Sequence, residues 1–176
     1  MCLLCFEGIV YSDVISTLTF LSVVFGGGFA LRKWNMTMKL RRAEYIKSLF
    51  DEIRTNPKIE FYKFEYDNEW YNRYFHQSGD LEKNIDYTLS FFSYICYLRK
   101  NGILNKADFA YFRYELDRIT HNEQFKYYMY NLYHFSNEVK QPLTFVDLFQ
   151  YAKNKKCFDK EFWNKQSMSY PHYLNF

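Results

Sequence analysis

The residues best suited to do chemistry are Arg118 and His121, in the run ELDRITHNEQF. Positions three apart share a face of an α-helix, so the guanidinium and the imidazole would reach one substrate together. The imidazole could move protons at a ribose 2′-hydroxyl while the guanidinium stabilises charge on the scissile phosphate, which is metal-free RNA cleavage. Arg73 and His76 in NRYFHQ repeat the spacing, which shows how readily it arises by chance. The plain alternative for both pairs is a solvated helix end. Of the other histidines, His134 lies in an aromatic helix and reads as a packed or surface residue, and His172 follows Pro171 without evident partners. The sequence has no HExxH, no paired-carboxylate signature and no G-x-S-x-G elbow. Cys2 and Cys5 have CxxC spacing, but no second cysteine or histidine pair follows at zinc-ligand distance. With Cys96 and Cys157 they read as free thiols. No metal, cofactor or small-molecule substrate is expected.

The element that would position everything else is the uncharged run Val14–Leu31, VISTLTFLSVVFGGGFAL, closed by Asp13 on one side and by Arg32 and Lys33 on the other. Its length as a helix is roughly 27 Å, close to the thickness of a bilayer's hydrocarbon core. Basic residues follow the run instead of preceding it, the reverse of a cleaved signal. The positive-inside rule then places the N-terminus outside and the bulk of the chain in the cytoplasm. Between Arg32 and Asn56 seven basic residues, Arg32, Lys33, Lys39, Arg41, Arg42, Lys47 and Arg54, face three acidic ones. The first five form a basic collar suited to anionic headgroups. The net charge of +3 is too small to argue for nucleic-acid binding by itself.

Within the run, Ser12, Ser16, Thr19, Val23, Gly26 and Ala30 recur at spacings of 4, 3, 4, 3 and 4. Such a seam of small or weakly polar residues suits close helix–helix contact, and in enough copies it could instead face a wet lumen. Gly26, Gly27 and Gly28 allow a hinge, a bend or very close packing. They are no phosphate loop, because no Lys-Ser/Thr follows.

The rest of the chain reads as helical. From Trp34 the first helix continues through Leu40, Ala43, Ile46, Leu49, Phe50 and Ile53 and ends before Pro57. A second helix is expected across KIEFYKFEYDNEWYNRYF. The next has a core face of Leu81, Ile85, Thr88, Leu89, Phe92, Ile95 and Cys96, with Gly102 as its stop. Asn105 with Asp108 caps another, whose buried face is Phe109, Phe112, Leu116 and Ile119. After a break at Thr120-His121-Asn122, Phe125, Tyr128, Met129, Leu132 and Tyr133 form a further face. Thr144 with Asp147 reads as the N-cap of a last helix over Phe145, Leu148, Phe149 and Ala152. The chain holds 19 Phe and 18 Tyr, so aromatic rings supply much of the core and many hydroxyls need partners. The remaining stretch mixes lysines with Phe158, Phe162, Trp163, Tyr170, Tyr173 and Phe176, too aromatic for a disordered tail, and is expected to dock on its own domain or on a neighbouring subunit. The expected organisation is a short extracytoplasmic N-terminus (1–13), a transmembrane helix (14–33), a cytoplasmic helical domain (34–156) and a C-terminal arm (157–176).

This plan resembles the small accessory membrane protein encoded beside the RNA-targeting effector of type VI-B CRISPR systems. The span Val14–Leu31, the basic continuation LRKWNMTMKLRR and the aromatic all-helical domain carry the resemblance, which is one of architecture over most of the chain. It implies a divergent HEPN-like helical fold and a ring-shaped homo-oligomer. It also implies a membrane pore that depolarises the cell in antiviral defence, with an RNA-guided effector or RNA as activating partner. HEPN nucleases carry R-x-x-x-x-H or a slightly longer spacing, and Arg118 and His121 are closer than that. A membrane-anchored ribonuclease and a non-catalytic scaffold are the rival expectations.

Overall fold

The computed structural model describes the backbone of residues 3–64, 68–77 and 79–174, and their side chains apart from residues 3–10, 12, 61–64 and 77. Every regular element among these residues is helical. The chain divides into two units, residues 1–48 and 49–176. The described residues of the first unit lie within helix α1 (Leu3–Thr55), which stays helical through Gly26–Gly28 although each glycine costs about 1 kcal/mol against alanine. Helix α1 ends at Thr55, and Pro57 opens α2 (Pro57–Phe64), where its fixed φ and missing N–H do no harm.

The second unit is built around α3 (Asp80–Lys100), which packs against α2, α4 (Lys106–His121) and α6 (Val146–Lys155). The expected face of α3 is the observed one apart from Leu81, which is half-buried. Ile85, Thr88, Leu89, Phe92, Ile95 and Cys96 are buried, and Thr88 satisfies its hydroxyl on the carbonyls of Asn84 and Lys58. The helix stops where Gly102 takes φ 72°, a left-handed conformation that costs glycine nothing. Asn105 and Asp108 form the expected reciprocal cap of α4, each side chain accepting from the other's backbone N–H. Asn122 ends α4 and opens α5 (Glu123–Val139) by accepting from Phe125 N at 3.1 Å.

Two sequence expectations fail. The run from Lys58 to Phe75 is not one helix: α2 stops at Phe64, and a short 3-10 turn covers Phe75–Gln77. Asn72 competes locally with the helix, its Oδ1 accepting from Tyr74 N. The irregular backbone lets Trp70, Tyr71 and Phe75 point together into a core shared with Phe125 and Tyr128. The second failure is the cap of α6. Phe145 occupies the N-cap position in a left-handed conformation and offers no side-chain cap; the first-turn N–H of Leu148 goes to Ser93 Oγ of α3. Asp147 instead pairs with Lys100 of α3 at 2.8 Å.

The arm docks on its own chain. Phe158, Phe162 and Tyr170 are buried, with Phe158 and Phe162 stacked at 4.0 Å and Tyr170 stacked on Tyr130 of α5 at 4.7 Å. Asn131, fully buried on α5, holds residues 171–174 of the arm. Its amide donates to the carbonyls of Tyr127 and Pro171, and its oxygen accepts from the N–H groups of Tyr173 and Leu174.

Candidate functional site

In the first unit, one helix is long and apolar enough to cross a membrane. Its apolar window reaches a mean hydropathy of 1.9, and none of that window is buried within the chain. Ser16, Thr19, Val23, Gly26 and Ala30 are all exposed and, at 100° per residue, fall within an arc of about 80°. Gly27 lies beside that arc, while Gly28 lies about 120° from Ser16 and so off the seam. Ser12 of the expected seam lies outside the described side chains, as do Cys2 and Cys5. A side chain built at any of the three glycines would meet nothing within 4 Å, so nothing inside the chain uses their small size. The hydroxyls of Thr17, Thr19 and Ser22 each donate to the carbonyl four residues back, at 2.7–2.8 Å. These groups are satisfied within the helix and need no water. Arg32, Lys33, Lys39, Arg41 and Arg42 are exposed, and the same helical geometry spreads them around the whole circumference instead of along one side.

Arg118 and His121 sit on the last turn of α4, Arg118 half-buried and His121 exposed. His121 Nδ1 lies 2.7 Å from the Asp117 carbonyl. A carbonyl only accepts, so Nδ1 is the donor in this contact. Arg73 and His76 part company: Arg73 lies over the Tyr74 ring, while His76 turns inward to Glu82 at 2.7 Å and Tyr71 Oη at 3.3 Å. Close by, the Tyr128 hydroxyl donates to Asp86, whose carboxyl burial pushes above the usual carboxylate range.

His134 is packed under the arm, with Nε2 donating to the Phe162 carbonyl at 2.9 Å. Burial lowers its pKa, and the charges of His172 and Lys165 add to the effect. A histidine depressed in the folded state stabilises the fold above its unfolded pKa of about 6.5, and that contribution is lost as pH falls through the folded value. The unfolding temperature should therefore drop between pH 7.5 and pH 5.5. In His134→Gln, whose amide can still reach the carbonyl, the drop should be smaller; equal slopes in thermal scans would refute the assignment.

The recess with the most chemical character joins α3, α4 and α6. It is an open cleft of about 560 Å³, within the size range of ligand sites. Five cations, Arg99, Lys100, Lys106, Arg113 and Lys155, line it against one carboxylate, Asp147. Lys100 is paired with Asp147, and Arg113 lies 3.4 Å from Asp117. Arg99, Lys106 and Lys155 form no ion pair among the described residues, although Arg99 donates to the Leu104 carbonyl. Phe109 and Tyr151 form one apolar wall, their rings edge to face at 5.8 Å, and the Tyr151 hydroxyl is held by Asp117 at 2.8 Å. Burial pushes the Cys96 thiol up to about 12, so at neutral pH it is a protonated part of the lining and no nucleophile. Neither Arg118 nor His121 lines the cleft.

Sequence reasoning passed over this cleft. Arg99, Lys100 and Lys155 stand in the last turns of their helices, where basic residues are ordinary partners of the helix dipole. The usable signal was Lys106 and Arg113, seven apart on one face of α4 with Phe109 and Ala110 between them. No family model, curated protein or solved structure matches the chain.

Proposed function

We propose that the chain is a single-pass membrane protein that self-associates through α1 and opens a path through the bilayer. Its helical domain would lie on the cytoplasmic side, where Arg32, Lys33 and the rest of the collar meet anionic headgroups. The observation that carries this reading is the apolar window of α1. It is unburied in its own chain, and it bears a small-residue arc that nothing in the chain uses. Small residues on one face gain nothing from lipid and much from a neighbouring helix. Because the Thr19 hydroxyl on that arc is already hydrogen-bonded within the helix, the face suits a packed helix contact as well as a lumen. The biological setting, antiviral defence triggered by an RNA-guided effector, comes from the architectural resemblance alone.

The test is full-length protein in detergent and in liposomes. The wild-type chain should be oligomeric by mass and should release trapped dye or collapse an imposed potential. Gly26→Ile and Ala30→Ile, which fill the arc, should weaken association at least tenfold, about 1.4 kcal/mol. Leu18→Ile, off the arc, should change nothing. A monomeric, impermeable wild-type preparation would overturn the proposal.

A further inference from the structure

We propose that the cleft between α3, α4 and α6 binds a nucleoside di- or triphosphate. The case starts with charge. Five cations and one carboxylate line a single recess, and three of the cations have no carboxylate partner among the described residues. Lys100 and Arg113 have carboxylate partners, and Arg99, Lys100 and Lys155 suit their helix ends. Gathering five cations in one recess still costs repulsion, which a polyanion entering it would relieve while gaining charge-assisted hydrogen bonds. Arg99 and Arg113 offer planar donor forks and Lys106 and Lys155 offer mobile ammonium groups, a mixture suited to several phosphate oxygens at once.

The second strand is shape and polarity. A volume of about 560 Å³ is far more than a lone phosphate needs, and Phe109 and Tyr151 give the cleft an apolar aromatic wall. A planar base against those rings, with its phosphates among the cations, uses both halves. Gln150 and Asn154, which hydrogen-bond each other at 3.0 Å on the exposed side of α6, add amide groups that could read the edge of a base. The Cys96 thiol and the bound Tyr151 hydroxyl supply no reactive group, so the proposal is one of binding. It departs from the sequence expectation that no small molecule is involved, and it does not rest on the membrane reading, since it is read as ligand binding by dispersed protein.

Calorimetric titration of the full-length protein in detergent tests it, with ATP, pyrophosphate and inositol trisphosphate as separate probes. ATP should bind, and at least tenfold more tightly than either of the others. Pyrophosphate carries the charge without the base, and inositol trisphosphate represents a lipid headgroup. Lys106→Glu and Lys155→Glu should each weaken ATP binding tenfold or more. Lys160→Glu, an equal charge reversal at an exposed residue outside the cleft, should leave it unchanged. Phe109→Leu should weaken ATP and leave pyrophosphate as it was. Lys106→Ala serves if a reversal disturbs the fold, and is expected to weaken ATP in the same direction. The proposal is overturned if ATP fails to bind at millimolar concentration, or if either other probe binds as tightly. It is equally overturned if Lys160→Glu matches the cleft reversals.

Discussion

Replacing Phe162 with alanine should cost the helical domain about 3–5 kcal/mol, the range for deleting a fully buried aromatic ring. The ring is completely inaccessible and stacks on Phe158 at 4.0 Å. It also meets Tyr130, Tyr133, Phe149, Trp163 and Tyr170 within 6.4 Å. A void there cannot close cheaply, because its walls come from α5, α6 and the arm, each pinned by other contacts. The Phe162 carbonyl also receives the His134 hydrogen bond, so any backbone shift that fills the void loosens a buried polar pair as well. In a thermal or denaturant titration of the full-length chain this is a shift of about 10 °C or more. Met168→Ala, at a side chain 98% exposed on the same arm, should stay within about 0.5 kcal/mol. Similar losses for the two would mean that the arm is not packed as described.

Asn131→Ala should cost about 3 kcal/mol, for a different reason. Four hydrogen bonds converge on one buried amide, and three of them tie residues 171–174 to α5 across some forty positions of sequence. Alanine would leave the Pro171 carbonyl and the N–H groups of Tyr173 and Leu174 without their partner, at about 1–3 kcal/mol for each group that stays buried. The loss has a ceiling, because the end of the arm can lift away and give those groups to water. Hydrogen exchange should separate the two responses. The Tyr173 and Leu174 amides should exchange about a hundredfold faster, roughly 2.7 kcal/mol, while amides in the centre of α3 follow only the change in global stability. Asn131→Asp should not rescue the arm at neutral pH, since a carboxylate keeps the acceptor but faces the Tyr127 and Pro171 carbonyls without a donor. Unchanged exchange at Tyr173 and Leu174 in the alanine variant would refute the clamp.

Much of the domain was legible where local rules and burial agree. The periodic face of α3 and the reciprocal cap at Asn105 and Asp108 could be read directly, and the break expected over Thr120-His121-Asn122 is there but confined to Asn122. They failed to be legible where tertiary contact overruled a local signal. Thr144 and Asp147 look like a cap, but Asp147 finds Lys100 on another helix. The aromatic run after Pro57 has helical texture, yet Trp70, Tyr71 and Phe75 are buried from irregular backbone and a 3-10 turn. The seam and collar of α1 were visible as spacing, because one helix carries them. The cleft was invisible as spacing, because its cations come from three helices whose meeting no window of sequence contains. His134 shows the intermediate case: its aromatic surroundings were readable, but its carbonyl partner lies 28 residues away.

Helix α6 is bracketed by two non-glycine residues in left-handed conformations, Phe145 at φ 55° and Lys156 at φ 56°. Each disagrees with its own backbone preference by about 1 kcal/mol or more. This local frustration is overruled by packing: Leu148, Phe149 and Ala152 are buried, Leu148 N donates to Ser93 Oγ of α3, and Cys157 N closes the last turn on the Ala152 carbonyl. Since α6 supplies Asp147, Tyr151 and Lys155, one wall of the basic cleft stands on a helix whose place is set by its neighbours and not by its own backbone preferences.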